Sequence, residues 1–422
     1  MKVLAINPWI YDFAAYDFWL KPYGFLVILS YLKKKGVEVE FLDFLDNKIT
    51  RDSFGRGKFY SEIIHKPDVY KAIPRYFKRY GKPLKEVERL IANKRSDFIL
   101  ITSSMTYWYP AVNDAVNMLK QCIGPTPIIL GGTYATLCLE HAQKNINCDY
   151  VFKNTQLKDF FEVLKVEYEP EELYSCLPSY EDFCKKLDYV VFRTSWGCPL
   201  ACSYCANKKL FEGFVRIPQE RIVEFIRKYY DKGIRDFVFY DEALLYENEY
   251  IINLLKEITK LKLDVRFHTP NALHIRFLNK EIAHLLKASG FVNPHFGLET
   301  LNDRLQRLWG DKVNKEDVVR GIKLLKQAGF KGGQFSMYLL LGYPGQDLSS
   351  LKEEADFLHS RGSKVSLAEF SPTPETEMFK EYKDKFSEPL LHNNSIFSLF
   401  PDDKLDKFYK IKNYVRNLNK QF

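Results

Sequence analysis

Thr194-Ser-Trp-Gly-Cys-Pro-Leu-Ala-Cys-Ser-Tyr-Cys-Ala206 decides the reading of this chain. It places Cys198, Cys202 and Cys205 on one loop with the spacing Cys-x3-Cys-x2-Cys. Three thiolates so close together can hold three irons of a [4Fe–4S] cube. The fourth iron then lacks a protein thiolate, where two-ended cluster carriers place a fourth Cys. An iron with an open position can bind a molecule that reacts. The plainer alternative is a zinc knuckle, but zinc sites usually pair two Cys or His arms, and no fourth ligand stands nearby in the sequence. Only 8 of the 422 residues are Cys, so three at these offsets are a poor fit to chance.

Outward from the loop, the chain alternates strands and helices. A strand at 189–194 leads into the cysteines, and further strands are expected at 235–240, 265–268, 293–298, 334–341 and 365–370. Asn279 can cap the helix closed by Gly290, and Asn314 the helix closed by Gly329. In barrels of βα units the chemistry sits at the carboxyl ends of the strands. The cysteine loop follows the first strand, as that rule requires.

On its cysteine spacing the loop resembles the signature of the radical S-adenosylmethionine (SAM) enzymes, and the six βα units match that family's partial (β/α)6 TIM-type barrel. The resemblance implies that SAM binds the open iron through its methionine amine and carboxylate. The reduced cluster then splits SAM into methionine and a 5′-deoxyadenosyl radical. It implies an electron donor such as flavodoxin or ferredoxin. Tyr204 fits the aromatic before the last Cys. Tyr240, Asp241 and Glu242, at the end of the second strand, are candidates for SAM's ammonium, Asp241 first. Asn271 is a candidate for SAM or substrate, and His268 and His274 read as structural hydrogen-bonders rather than proton carriers. Phe296-Gly-Leu-Glu-Thr300 matches the family's Gly-Leu-Glu-Ser pattern, which turns Glu299 toward SAM's ribose or methionyl part. Gly342 would let the backbone approach adenosine, and Ser371 stands where backbone groups often read adenine.

Residues 1–164 read as a separate Rossmann-like, doubly wound parallel sheet, with strands at 2–7, 37–42, 98–102, 127–130 and 150–152 and helices at 23–35 and 110–121. Ligands on such sheets sit at the strands' carboxyl ends, which here carry Ser103, Ser104, Gly131, Gly132 and Thr133. This stretch resembles the cobalamin-binding domain that precedes many radical SAM domains. The matching residues are Lys21-Pro-Tyr-Gly-Phe-Leu26, Ile101-Thr-Ser-Ser104 and Gly131-Gly-Thr-Tyr-Ala-Thr136. The resemblance makes Ser103, Ser104, Gly131, Gly132 and Thr133 candidate cobalamin contacts. Two features depart from the pattern. The Asp-x-His-x-x-Gly motif that ligates cobalt is absent, and Lys153-Asn-Thr-Gln156 stands where Gly-Glu-Gly-Glu is common. A Rossmann-like domain that binds no corrinoid remains the alternative.

The net charge is +8, and the segment 51–95 alone holds a surplus of eight, with 13 Lys or Arg against 5 Asp or Glu. Its interleaved rings could suit nucleic acid, but an insertion that packs its rings on the domain is the preferred reading. Residues 165–187 read as an acidic linker, 188–378 as the barrel and 379–422 as a charged, helical C-terminal tail. No apolar run approaches the roughly 20 residues a membrane span needs, and the start reads as a strand rather than a signal peptide. The expectation is a cytoplasmic enzyme, its other five cysteines reduced. Its function reads as cobalamin-dependent methyl transfer to an unactivated carbon. The alternatives are a cobalamin-free radical SAM enzyme whose first domain binds substrate, and a non-catalytic iron–sulfur or zinc module.

Overall fold

The computed structural model describes residues 1–396 and 405–422. The chain divides into two compact units. The first is Met1–Tyr189 with Lys209–Glu212 and Tyr382–His392; the second is Val190–Lys208, Gly213–Glu381 and Asn393–Phe422.

The first unit is built on β1 (Lys2–Asn7), α1 (Tyr23–Lys34), β2 (Glu38–Asp43), β3 (Phe98–Ser103), α2 (Tyr109–Ile123), β4 (Ile128–Gly132), α3 (Thr133–Leu137) and β5 (Tyr150–Val151). The strands pair in the order β5-β4-β3-β1-β2, all parallel. Continuous apolar runs make this possible, because helices cover both faces of the central strands. Val3, Ile6, Ile99 and Ile128 are fully buried, each contributing roughly 1.5–3 kcal/mol of burial. The direction of winding reverses between β1 and β3, and that switch point is where such sheets open a ligand crevice.

The basic segment is more structured than a solvated insertion. Ser61–Ile63 and Ile10–Asp12 flank Lys78–Tyr80 in an antiparallel sheet, and Gly57–Lys58 pairs with Tyr16–Asp17. Its rings pack inward as expected, with Phe59, Tyr70, Phe77 and Tyr80 buried. Some of its charge is internal too. Arg79 is 1% exposed and meets Glu62 at 2.9 Å, and just ahead of the segment Lys48 is buried against Asp17 at 2.8 Å. The stretch expected as a linker carries two short helices, Pro170–Tyr174 and Tyr180–Phe183. It is tied to α1: Glu169 N donates to Tyr31 Oη, and Lys35 meets Glu172 at 2.7 Å.

The second unit repeats strand and helix: β6 (Val190–Phe192), α4 (Gln219–Asp231), β7 (Asp236–Phe239), α5 (Asn248–Lys260), β8 (Arg266–His268), α6 (Lys280–Ala288), β9 (His295–Glu299), α7 (Lys315–Gln327), β10 (Ser336–Leu341), α8 (Leu348–Ser360) and β11 (Lys364–Glu369). Two parallel three-stranded sheets, β6-β7-β8 and β9-β10-β11, are bridged at Phe267 with Phe291 and at Leu273 with Phe296. Asn279 and Asn314 cap α6 and α7 as expected, Asn314 in a capping box with Asp317. Phe192, Phe239, Phe267 and Phe291 stack across the strands, with centroids 4.5–5.3 Å apart. Such pairs add about 0.5–1.5 kcal/mol each beyond area burial. The tail is helical at α9 (Leu405–Asn419), where the Asn419 amide bonds the Val365 backbone in both directions. The part of the expected helical tail at 397–404 lies outside the described residues. Among the described residues no helix is long and apolar enough to cross a membrane.

Candidate functional site

The cysteine loop leaves β6 through Ser195–Gly197, which pairs antiparallel with Phe214–Arg216. Its start is pinned from the end of β7. The Asp241 carboxylate accepts from Thr194 N at 2.9 and 3.0 Å, from Thr194 Oγ1 at 2.6 Å and from Ser195 Oγ at 2.9 Å. Asp241, expected first among acceptors for SAM's ammonium, thus holds the start of the cysteine loop. Its carboxylate is committed to fastening the loop. Burial pushes its pKa up, against the pull of those hydrogen bonds.

The other side of the loop rests on the turn after β9. Ser203 N donates to the Trp309 carbonyl at 3.1 Å. Gly310 takes φ +109, and a Cβ there would stand 2.8 Å from the Ala201 carbonyl oxygen, so only glycine allows this approach. Cys198, Cys202 and Cys205 are free thiols, and burial pushes Cys198 up to about 11. A thiol held so high sheds its proton on meeting metal. Among the described residues no three His, Cys, Asp or Glu side chains converge as ligands of one ion. A cube asks for something else, one thiolate on each of three irons.

Tyr204 sits between the cysteines, its ring edge-on to Trp309 at 5.8 Å. Among the described residues its buried hydroxyl makes no hydrogen bond of normal geometry, and the Cys202 side chain is a neighbour that acts on it. Burial, then the charge of Glu299, pushes that hydroxyl well above its ordinary pKa.

Glu299 ends β9 at φ +69, a left-handed conformation costing an ordinary residue roughly 1–3 kcal/mol. The strand register slips between Gly297 and Glu299, and such bulges re-aim a side chain. Glu299 accepts from Lys312 Nζ at 2.8 Å, both side chains being nearly buried. Burial pulls the Lys312 ammonium down, but Glu299 and the thiols of Cys202 and Cys205 outweigh it and hold its pKa above the usual value. Gly297 makes room for the pair, since a Cβ there would stand 2.7 Å from Lys312 Nζ. Lys312 went unnoticed in the sequence. The turn brings it beside Glu299 from 13 residues away.

The remaining candidates lie at the neighbouring strand ends. The Tyr240 carbonyl accepts from Asn271 Nδ2 at 2.8 Å. Glu242 pairs with Arg193, and burial raises its pKa. His268 bonds Asp236 at 2.8 Å and His274 the Glu242 carbonyl at 2.9 Å. Burial lowers His274 to about 3, so it stays neutral. Both histidines are structural hydrogen-bonders. Gly342 follows β10 at φ +89, its N–H donating to Gln346 Oε1 at 2.6 Å. Ser371 follows β11, and its carbonyl accepts from Thr373 Oγ1 at 3.3 Å.

In the first unit a narrow cleft with about 20 Å³ of room lies at the β1/β3 switch point, with Asn7, Trp9, Lys21, Thr102, Ser104 and Trp108 among its lining residues. Ser104 thus lies on the cleft. Ser103 is spent elsewhere, its Oγ donating to the Gly131 carbonyl at 2.7 Å. Gly132 has φ +98, and a Cβ there would stand 2.2 Å from the Ser103 carbonyl oxygen. Thr133 opens α3. A Cβ on Gly131 would meet nothing within 4 Å.

The cysteine loop fits a site-differentiated cluster: it carries three free thiols, with the buried Tyr204 hydroxyl between them and the buried Lys312 on the turn against which the loop rests. In the first unit Ser104 stands on the cleft, while Ser103 and Gly132 are accounted for by packing.

Residues 193–358 match the Radical SAM superfamily. The anaerobic magnesium-protoporphyrin IX monomethyl ester cyclase of Rubrivivax gelatinosus is 25% identical over 198 residues, 45% of this chain and 34% of the relative. The GTP 3′,8-cyclase of Aliarcobacter butzleri is 27% identical over 195 residues, 45% of this chain and 57% of the relative. The chain therefore spans between about a third and three fifths of the length of these curated relatives. In fold it is similar to the radical SAM methyltransferase TsrM from Kitasatospora setae, solved with tryptophan and a SAM analogue. The TM-score is 0.68 at 15% identity, covering 91% of this chain and 76% of the other. It is also similar to the cobalamin-dependent radical SAM enzyme OxsB with aqua-cobalamin and SAM, at TM-score 0.58 and 14% identity, over 94% of this chain and 56% of the other.

Proposed function

From an enzyme that carries a radical SAM domain at residues 193–358, we propose a cobalamin-dependent radical SAM methyltransferase acting on an unactivated carbon. The observation that carries the reading is the presence in one chain of the three-cysteine loop and of a separate parallel sheet with a switch point. Fold likeness to TsrM, also solved with cobalamin and a [4Fe–4S] cluster bound, and to OxsB supports it, because that likeness extends over more than nine tenths of the chain.

Cys198, Cys202 and Cys205 would each take one iron. The bound cluster supplies the electron that splits SAM, and the corrinoid supplies a carrier for the methyl group. Asp241 holds the loop in place through Thr194 and Ser195. Glu299 presents acceptor oxygens to SAM's hydroxyls or ammonium, and its strained backbone fixes their aim. The Tyr240 carbonyl and Gly342 border the same strand ends. Cofactors perform the hard chemistry, and these residues bind and orient them.

A second reading keeps the radical SAM chemistry without corrinoid, the first unit binding substrate. It is favoured by the way Ser103 and Gly132 are explained by packing against each other. The test is expression with cobalamin supplied, followed by cobalt analysis and absorption spectroscopy. One cobalt per chain, a spectrum without imidazole coordination and loss of the corrinoid in Ser104→Trp are expected. Protein that holds about four irons, cleaves SAM and retains no cobalt would establish the second reading.

A further inference from the structure

We propose that Lys312 is a positioning residue for charge: its buried ammonium, set against Glu299, controls how readily a cluster on Cys198, Cys202 and Cys205 accepts an electron. The inference rests on the cluster reading above and goes beyond it by naming a residue outside the cysteine motif.

The geometry carries the argument. The turn that bears Lys312 lies on the cysteine loop itself, with Ser203 N bonded to the Trp309 carbonyl and Gly310 against Ala201 and Cys202. Arg276 Nη1 donates to the Asp311 carbonyl at 2.7 Å and pins the turn from the other side. Lys312 Nζ is thereby brought to Glu299 at 2.8 Å, with side-chain exposures of 11% and 12%. Two residues before Lys312, a Cβ on Gly310 would stand 3.3 Å from Cys202 Cα, so the turn that carries the ammonium runs against the cysteines. Gly297 is cut back to hydrogen where a Cβ would touch both charged groups, 2.7 Å from Lys312 Nζ and 3.1 Å from Glu299 Oε1.

Reduction adds one negative charge to the cube. A nearby cation favours the reduced form and a nearby anion opposes it, and both act more strongly when shielded from water. The two members of the pair should therefore pull the potential in opposite directions. A pair that merely held the loop in shape would behave differently, since losing either member would loosen the same loop.

The test uses the full chain, reconstituted anaerobically with iron and sulfide and without SAM. The midpoint potential is read by dithionite titration followed by electron paramagnetic resonance. Wild type is compared with Lys312→Met, Glu299→Gln, the double variant and Lys312→Arg. Lys312→Met should weaken reduction at least tenfold, a fall of about 59 mV for one electron. Glu299→Gln should shift the potential upward, the double variant should lie near wild type, and Lys312→Arg should retain the wild-type value. If Lys312→Met fails to hold iron, the sign of the Glu299→Gln shift and the position of the double variant decide. Shifts of the same sign in both single variants, or unmoved potentials with full iron content, would overturn the proposal alone. Wild-type protein that takes up no iron would overturn the cluster reading as well.

Discussion

At the carboxyl ends of β3 and β4, Ser103, Gly131 and Gly132 satisfy one another; at the ends of β6, β7 and β9, local packing does not account for all the polar side chains. In the first region the serine hydroxyl has a carbonyl to bond, and glycine stands where any Cβ would strike backbone. In the second, Glu299 holds a left-handed backbone, Tyr204 buries a hydroxyl that makes no hydrogen bond of normal geometry among the described residues, and Lys312 is nearly buried against Glu299. Local costs that the fold does not repay are expected where a ligand repays them. The second region therefore points to its chemistry more strongly than the first.

Gly132→Ala probes the packing side of this contrast. Its Cβ would stand 2.2 Å from backbone at φ +98, and a loss of about 2–4 kcal/mol in the first unit's stability is expected. Chemical denaturation should show that loss while the second unit's iron content stays at its wild-type level.

Acid should separate the units next. Burial lowers His392, in the first unit, to about 4 and His274, in the second, to about 3, from 6.5. Both are neutral when folded, so below pH 6.5 the unfolded chain binds protons that the folded chain refuses. Stability should fall as pH drops from about 6.5 toward those values, by roughly 1.4 kcal/mol per pH unit for each histidine. Melting curves between pH 7 and 5 should show it, and His392→Asn should flatten the response of the first unit only.

The smallest effect on folding is expected where ligand binding is touched. A Cβ on Gly297 would press on the flexible end of Lys312, which can move aside, so Gly297→Ala should change stability by under about 1 kcal/mol. It should nevertheless disturb Glu299 and weaken SAM binding about tenfold, near 1.4 kcal/mol, as measured by equilibrium dialysis. Unchanged SAM affinity in this variant would remove Glu299 from the site.

Much of the fold was legible because it is periodic and punctuated. Asn279 and Asn314 announced their helices, and β1, β3, β6 and β10 read as apolar runs ended by Gly, Ser or polar residues. The small antiparallel sheets of the basic segment were not legible. Their strands are two or three residues long and pair with residues 10–17, leaving no period to detect. The site divided in the same way. The cysteines and Glu299 belong to a contiguous pattern, whereas Lys312 joins them through a bulge and a turn. The bonds of Asp241 to the hydroxyls of Thr194 and Ser195 are not legible in the sequence, because these residues become its neighbours only in the folded unit.

The central claim, that the three-cysteine loop holds a cluster which opens SAM, is tested most directly by counting 5′-deoxyadenosine. Wild type and the Cys198→Ala, Cys202→Ala and Cys205→Ala variants would be reconstituted anaerobically, given SAM and dithionite, and assayed by chromatography. The account predicts about four irons in wild type, steady 5′-deoxyadenosine release, and none from any of the three variants. Wild-type levels of 5′-deoxyadenosine from any one of them would contradict it.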